Sequence, residues 1–316
     1  MQEFFVMLKS VVIFVLLAIP GYIAVKTKIF KSEDSNVLSK VALYVAVPFF
    51  IVASTVSIDL TGKMAINLLL VALFYSVFLV LAVFIAKLFI KKDNEKGLSG
   101  LERFCVIFSN NGFIGLPLAE AVFGVNSPIL AYIVVINVIN NVALMIVGSY
   151  MFAGDKSSIS FKGILRSLPV IAFVIAIIIN LIGVKEVSSE VIYYSNYLKS
   201  LVTPISMTIL GMKFADVKIS TLFTSRKLYY ISLLKLVVVP VIVISIMLVV
   251  NMFVEIDNGI IFTMFIGFAT STASLTTSLA DRYKVGEKEA SIYVLGTTLF
   301  SVVTLPVLYA LLCLFI

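Results

Sequence analysis

The sequence predicts an all-α polytopic membrane protein, with ten transmembrane helices in two inverted five-helix repeats and interruptions in helices 4 and 9. Three observations carry this. Of 316 residues, 61% are hydrophobic and only 13% are charged, whereas soluble domains are about 45–50% apolar and about 25% charged. Apolar runs of about 20 residues, the length that spans the hydrocarbon, recur from end to end and leave no room for a separate soluble domain. The two halves also resemble each other at a fixed offset.

Hydropathy assigns the spans in order: 5–25, 37–56, 64–90, 101–123, 128–152, 163–184, 191–212, 228–253, 259–280 and 290–315. The start, Met1 to Leu8, has no basic segment of the kind a cleavable leader carries, so span 1 reads as a retained helix. Basic residues cluster in the connections after odd-numbered spans, among them Lys26, Lys28, Lys31, Lys91, Lys92, Lys156, Lys162, Lys213, Lys218, Arg226, Arg282 and Lys284. The opposite side carries only Lys9, Lys63, Lys185 and Lys199. Lys and Arg are retained in the cytoplasm, so both termini are expected outside a plasma membrane. The net charge of +7 therefore belongs to cytoplasmic loops and argues for no nucleic-acid partner; the lipid bilayer is the expected surrounding.

The repeat is weak but ordered. "ILAYIVVINVI" from Ile129 matches "EASIYVLGTTLF" from Glu289. Helix 2, "LSKVALYVAVP", likewise matches helix 7, "LKSLVTP". Five helices per copy is odd, so the second copy enters from the opposite side, which is a common transporter architecture. The expected organisation is a first repeat at 1–152, a short cytoplasmic linker at 153–162 and a second repeat at 163–316.

Two polar stretches interrupt apolar spans. In helix 4, "FSNNGFIGLPLAEAVFG", Asn110, Asn111, Gly112, Gly115 and Pro117 predict a break near the membrane centre, because Pro removes a donor and Gly is permissive. Freed backbone groups cannot face lipid unpaired, and half-helix ends at the midplane present dipoles to a solute. Helix 9 carries "GFATSTASLTTSLADRY", with hydroxyls in nearly every register, Ser271, Thr272 and Ser274 among them. Asn137 and Asn141 share a face of helix 5, with Asn140 beside them, and Thr297, Ser301 and Thr304 share a face of helix 10. Such residues either line a site or hydrogen-bond between helices.

Ionisable residues within the spans are few. Glu120 follows Pro117 and is the candidate for coupling; Lys235 lies about two turns into helix 8 and is placed to snorkel towards the surface. There is no His, and the two cysteines, Cys105 and Cys313, are too few for a metal site. No phosphate loop, paired carboxylates or activated nucleophile appears. The chain is therefore expected to be no enzyme and to need no cofactor.

"SNNGFIGLPLAEAVFG" resembles the fourth-helix signature of the auxin efflux carrier family, whose bacterial members include organic-acid and malate permeases. "PGYIAVKTKIFKSEDSNVLSKVALYVAVPFFI", "SLVTPISMTILGMKFA", "KLVVVPVIV" and "LADRYKVGEKEASIYVLGTTLFSVVTLPVLYALL" are similar to further family segments, in order, over nearly the whole chain. The resemblance implies helices 4 and 9 crossing at broken midpoints, an elevator-like motion, a possible homodimer and a small organic anion as substrate. It departs at helix 9, where many members carry a proline and this chain has about Ser271. The expectation is a secondary transporter that binds a carboxylate through Asn110, Asn111, Gly112, Pro117, Asn137, Asn141, Ser271, Thr272 and Ser274. The alternatives are a sodium-coupled bile-acid-like carrier, a non-transporting sensor and an intramembrane enzyme.

Overall fold

The computed structural model describes residues 2–56, 62–92, 97–153, 167–181, 189–217 and 219–316. Within them all regular structure is helical apart from a single isolated bridge between Ser109 and Thr272. Six helices are long and apolar enough to cross a membrane: Phe4–Lys26, Ser32–Val56, Gly62–Phe89, Ile129–Phe152, Arg226–Phe253 and Glu287–Leu312. Asn111–Phe123, Leu168–Asn180 and Asn258–Ala269 are shorter apolar helices. The expected linker and both ends of the sixth expected span fall on 154–166 and 182–188, outside the described residues.

In chain order we name α1 (Gln2–Lys26), α2 (Ser32–Val56), α3 (Gly62–Phe89), α4 (Leu98–Ile107), α5 (Asn111–Phe123) and α6 (Ile129–Phe152). There follow α7 (Leu168–Leu181), α8 (Ser189–Ser200), α9 (Val202–Asp216), α10 (Ile219–Thr224), α11 (Arg226–Phe253), α12 (Asn258–Ala269), α13 (Leu275–Tyr283) and α14 (Glu287–Leu312).

A bilayer-facing helix needs no polar face, so its two sides differ only in what they touch. In α3, Leu69, Leu73, Val77, Val80, Phe84 and Leu88 are exposed along one stripe. Val71, Tyr75, Phe78, Ala82 and Ala86 form the buried stripe. Both repeat at three- and four-residue steps, as one side of a helix must. The buried stripe delivers the Tyr75 hydroxyl to the protein interior. α12 is buried along almost its whole length and forms the centre of the packing.

Among the described residues single π-helical turns occupy Ala42–Ala46, Asn111–Gly115, Leu144–Gly148 and Leu234–Val238. Pro20 and Pro306 lie within helices that do not widen. All of the widened turns but Leu144–Gly148 are followed two residues later by a proline: Pro48, Pro117 and Pro240. The carbonyls that those rings would strike, four residues back, belong to Tyr44, Phe113 and Leu236, inside the widened turns. An i to i+5 turn moves the carbonyl aside and lets the helix continue. Pro117 therefore does not itself break helix 4, as the sequence had suggested. It lies two residues past the widened first turn of the helix that resumes after the break at 108–110.

The seventh expected span, 191–212, is two helices. Pro204 has no N–H to give the carbonyl of Ser200, and α8 ends there, with α9 starting after Leu201. α8 is polar and carries exposed Tyr193, Tyr194 and Tyr197, the side chains enriched at membrane–water interfaces.

α1 and α9 touch backbone to backbone. A Cβ on Gly21 would collide with the carbonyl oxygen of Thr208, and one on Gly211 with that of Ala18. Small residues permit this approach, as is common between membrane helices. Gly211→Ala is expected to cost about 1–3 kcal/mol, the range for overpacking. The thermal midpoint of the detergent-solubilised protein measures it. Gly62→Ala, where nothing lies within 4 Å of the added carbon, serves as the control.

Candidate functional site

Both interruptions anticipated from sequence are present, and they meet. α4 ends at Ile107, residues 108–110 are non-helical, with Phe108 extended, and α5 begins at Asn111. α12 ends at Ala269, and α13 begins at Leu275 after a second non-helical stretch. The two stretches run antiparallel. The amide of Asn110 donates to the carbonyl of Ser271 at 2.8 Å, and the amide of Ala273 to that of Phe108 at 3.0 Å. Each broken segment thus pairs with the other, which removes the cost of bare backbone inside a membrane. Helix 9 needs no proline for this. The Thr272 hydroxyl donates to the Cys105 carbonyl at 2.9 Å, and the Thr272 amide donates to the Thr297 hydroxyl at 3.2 Å. Thr298 donates to the Ser271 hydroxyl at 3.0 Å.

Side chains lock the crossing from the surrounding helices. Asn111 Nδ2 donates to the Tyr75 hydroxyl at 3.0 Å, which donates to Asn140 Oδ1 at 2.9 Å. Asn140 Nδ2 donates to the Ser109 carbonyl at 3.1 Å, closing the circuit. Thr270 donates to Asn111 Oδ1, and Ser274 to Asn110 Oδ1, each at 3.3 Å.

A small recess of about 40 Å³ lies against the crossing, lined by Ser109, Asn110, Asn111, Gly112, Phe113, Asn137, Asn140, Asn141, Ser274 and Leu275, among others. It shares Leu43, Phe113, Ser274 and Leu275 with an open cleft of about 920 Å³. The N-termini of α5 and α13 both start at the recess, and the first amides of a helix lack partners within it. Each helix start carries roughly half a positive charge. Among the described residues no carboxylate lines the recess.

Lys235 is the residue whose position the sequence did not convey. It does not snorkel. Its side chain is fully buried, 0% exposed, in the π-helical turn of α11, and its ammonium donates to the Ser109 hydroxyl. Among the described residues no carboxylate lies within ion-pairing distance of it. Hydropathy registered one charge in an apolar run but could not tell which helix that charge would face. Tyr75 gave no signal beyond being one aromatic among many.

The structure brings most of the expected site residues to this place. Asn110, Asn111, Gly112, Asn137, Asn141 and Ser274 line the recess. Asn141 Nδ2 donates to Asn137 Oδ1 at 3.1 Å, so these two act as a pair. Ser271 and Thr272 are fully buried in the crossing itself, where they hold backbone. Pro117 is buried in α5 and lines neither cavity. Glu120 lies further along α5, pairs with Lys199 of α8 at 2.8 Å, and also lines neither cavity.

The model of one family, described as membrane transport protein, matches residues 5–163 and 157–309. The chain belongs to this family of auxin efflux carrier-like proteins. An uncharacterized transporter of Methanocaldococcus jannaschii is 28% identical over 213 residues, covering 64% of this chain and 67% of that one. The protein is thus an integral, multi-pass membrane protein of a transporter family, and its crossed, interrupted helices lie where a transporter needs polar groups within an apolar shell.

Tyr75 bridges two asparagines through one hydroxyl. Tyr75→Phe leaves Asn111 Nδ2 and Asn140 Oδ1 without that partner, at an expected cost of about 1–3 kcal/mol for buried polar groups left unsatisfied. Thermal denaturation in detergent reads this directly. An unchanged midpoint would mean that the hydroxyl does not join the two helices.

Proposed function

We propose that this transporter is a secondary permease that carries a small organic anion, of the carboxylate kind, across the plasma membrane by alternating access. The observation that carries the reading is the convergence of positive charge without a counter-charge. Two helix N-termini face the recess, and the buried ammonium of Lys235 reaches its wall through Ser109. A buried charge is tolerated when it is paired, and here the described residues offer a neutral hydroxyl alone. A carboxylate in the recess supplies the missing charge and accepts hydrogen bonds from the helix-start amides and from the side-chain amides of Asn110 and Asn137.

The same reading gives the chain ten crossings in two inverted repeats, 1–152 and 163–316, with both termini outside. Its support is the register of the crossing. Residues 108–110 pair with 271–273, an offset that agrees with the separation of about 160 residues between matching segments of the two halves. The two backbone bonds exchange places under a local two-fold rotation, as inverted repeats require. The cleft is flanked by Lys40, Lys213 and Lys288, basic residues of the side assigned to the cytoplasm. The conformation is accordingly read as open inwards.

The test begins with a thermal-shift screen against mono- and dicarboxylates, followed by uptake of the best ligand into proteoliposomes. Lys235→Gln and the Asn110→Ala, Ser274→Ala pair are expected to insert normally and to lose at least about tenfold in affinity, the scale of one charge-assisted hydrogen bond. Wild-type uptake by Lys235→Gln would overturn the anion reading.

A further inference from the structure

A third cavity, of about 240 Å³, is walled by α1, α5, α9 and α14 and shares no residue with the recess or the cleft. Its lining is hydrocarbon. Two hydroxyl-bearing side chains of α14 border it, and both are already engaged. The Thr298 hydroxyl lies between Ser271 and the Val294 carbonyl, and that of Ser301 donates to the Thr298 carbonyl at 2.7 Å. A water there would lack the two to four polar partners it needs, so the occupant must be apolar where it lies inside.

The cavity has a length and a direction. α1 lines it from Val11 through Phe14 and Ala18 to Tyr22, in steps of three and four that keep to one side of a helix. That stretch rises about 16 Å, close to one leaflet, which is half of the roughly 30 Å hydrocarbon core. Val15 and Ile19, on the same helix, border the cavity and are exposed, so it opens sideways to the bilayer. Its volume is below the roughly 300–1,000 Å³ that drug-sized ligands occupy and suits a single extended chain.

One end carries a cation. The ammonium of Lys26, in the last turn of α1, lies 5.6 Å from the centre of the Tyr22 ring. Lys26 is exposed, and among the described residues no carboxylate lies within ion-pairing distance of it. Lys28 and Lys31 follow in the same connection. A tyrosine and lysines at a helix end mark the level of the headgroups, where basic residues attract anionic lipid.

We propose that this cavity holds one acyl chain of an anionic phospholipid whose phosphate rests on Lys26, so that the lipid wedges α1 and α9 against the helices of the crossing. Ile114 and Leu118 belong to the half-helix that starts at the crossing, and Thr298 touches Ser271 within it. A chain in the cavity therefore packs against the elements that shape the recess. None of this depends on which solute the recess takes.

Native mass spectrometry of the full chain in detergent, with phosphatidylglycerol or phosphatidylcholine of identical oleoyl chains, counts the lipids retained. Wild type should keep one phosphatidylglycerol, with about fivefold preference over phosphatidylcholine, the scale of one lysine at an anionic surface. Lys26→Gln should lose the preference. Lys87→Gln, exposed in the last turn of α3, should keep it. Val302→Phe places a ring in the cavity and should retain neither lipid; Leu210→Phe repeats this from α9, and thermal midpoints confirm folding. Phosphatidylglycerol retained by both cavity-filling variants as by wild type overturns the proposal, as does a preference that survives Lys26→Gln. Oleate displacing the phospholipid would give the cavity to a free fatty acid, and a dimer that dissociates in Val302→Phe would give it to a second copy; either result overturns the proposal too.

Discussion

Everything in this molecule that is not plain helix depends on one constraint: backbone N–H and C=O groups within a membrane must find partners in the protein. Two helices lose their regularity in mid-course, and the cost of exposing those groups is avoided because each loose segment completes the other. The exchange between Asn110 and Ser271, and between Ala273 and Phe108, is a minimal piece of sheet inside a helical protein. It fixes the register of four half-helices at once. It also explains why the helix starts of α5 and α13 lie together, since both follow directly from the same pairing.

How much of this could be read from the sequence depends on whether the signal was local. The break in helix 4 was legible because Asn110, Asn111 and Gly112 are adjacent and out of place in an apolar run. Its position was displaced in the reading, because Pro117 attracts attention and yet lies inside the resumed helix, past its widened first turn. A proline is a breaker only when the carbonyl four residues back cannot move. At Pro48, Pro117 and Pro240 a widened turn moves it. Helix 9 was legible as polar, and what interrupts it in place of a proline is a set of hydroxyl bonds to Cys105 and to α14. Those partners lie far away in sequence. The helix 7 interruption at Leu201 was missed because 191–212 has enough apolar residues to satisfy hydropathy, although Tyr193, Tyr194 and Tyr197 already mark an interface.

The residues that bear on chemistry were the least legible, for a physical reason. Tyr75, Asn140 and Lys235 come from three helices and acquire meaning only through contact with Ser109 and Asn111. A sequence reports that a lysine sits in an apolar span. Whether it points to a headgroup or to the protein centre depends on the rotation of that helix, which packing sets. The widened turn at 234–238 adjusts that rotation locally, so the feature that accommodates Pro240 also lies under the lysine. Glu120 is the converse case. Its place in an apolar span made it the coupling candidate, and the structure pairs it with Lys199 of α8.

Two ion pairs between helices and two lysines without a carboxylate partner among the described residues divide the molecule's charge by use. Glu102 is engaged by Lys227 at 2.8 Å, and Glu120 by Lys199 at the same distance. In these pairs a carboxylate of an interrupted helix is tied to another helix, and the charge is spent on holding position. Lys235 and Lys213 carry the same charge with no carboxylate to meet it among the described residues, and both lie beside the cavities. A protein that sets Glu120 against the buried Lys199, and Glu102 against the exposed Lys227, places no carboxylate among the described residues within ion-pairing distance of Lys235 or Lys213. On the anion reading proposed above, an opposing acid there would occupy the position of a bound anion and neutralise the field that attracts one, and leaving those lysines on neutral hydroxyls keeps their charge available to a ligand.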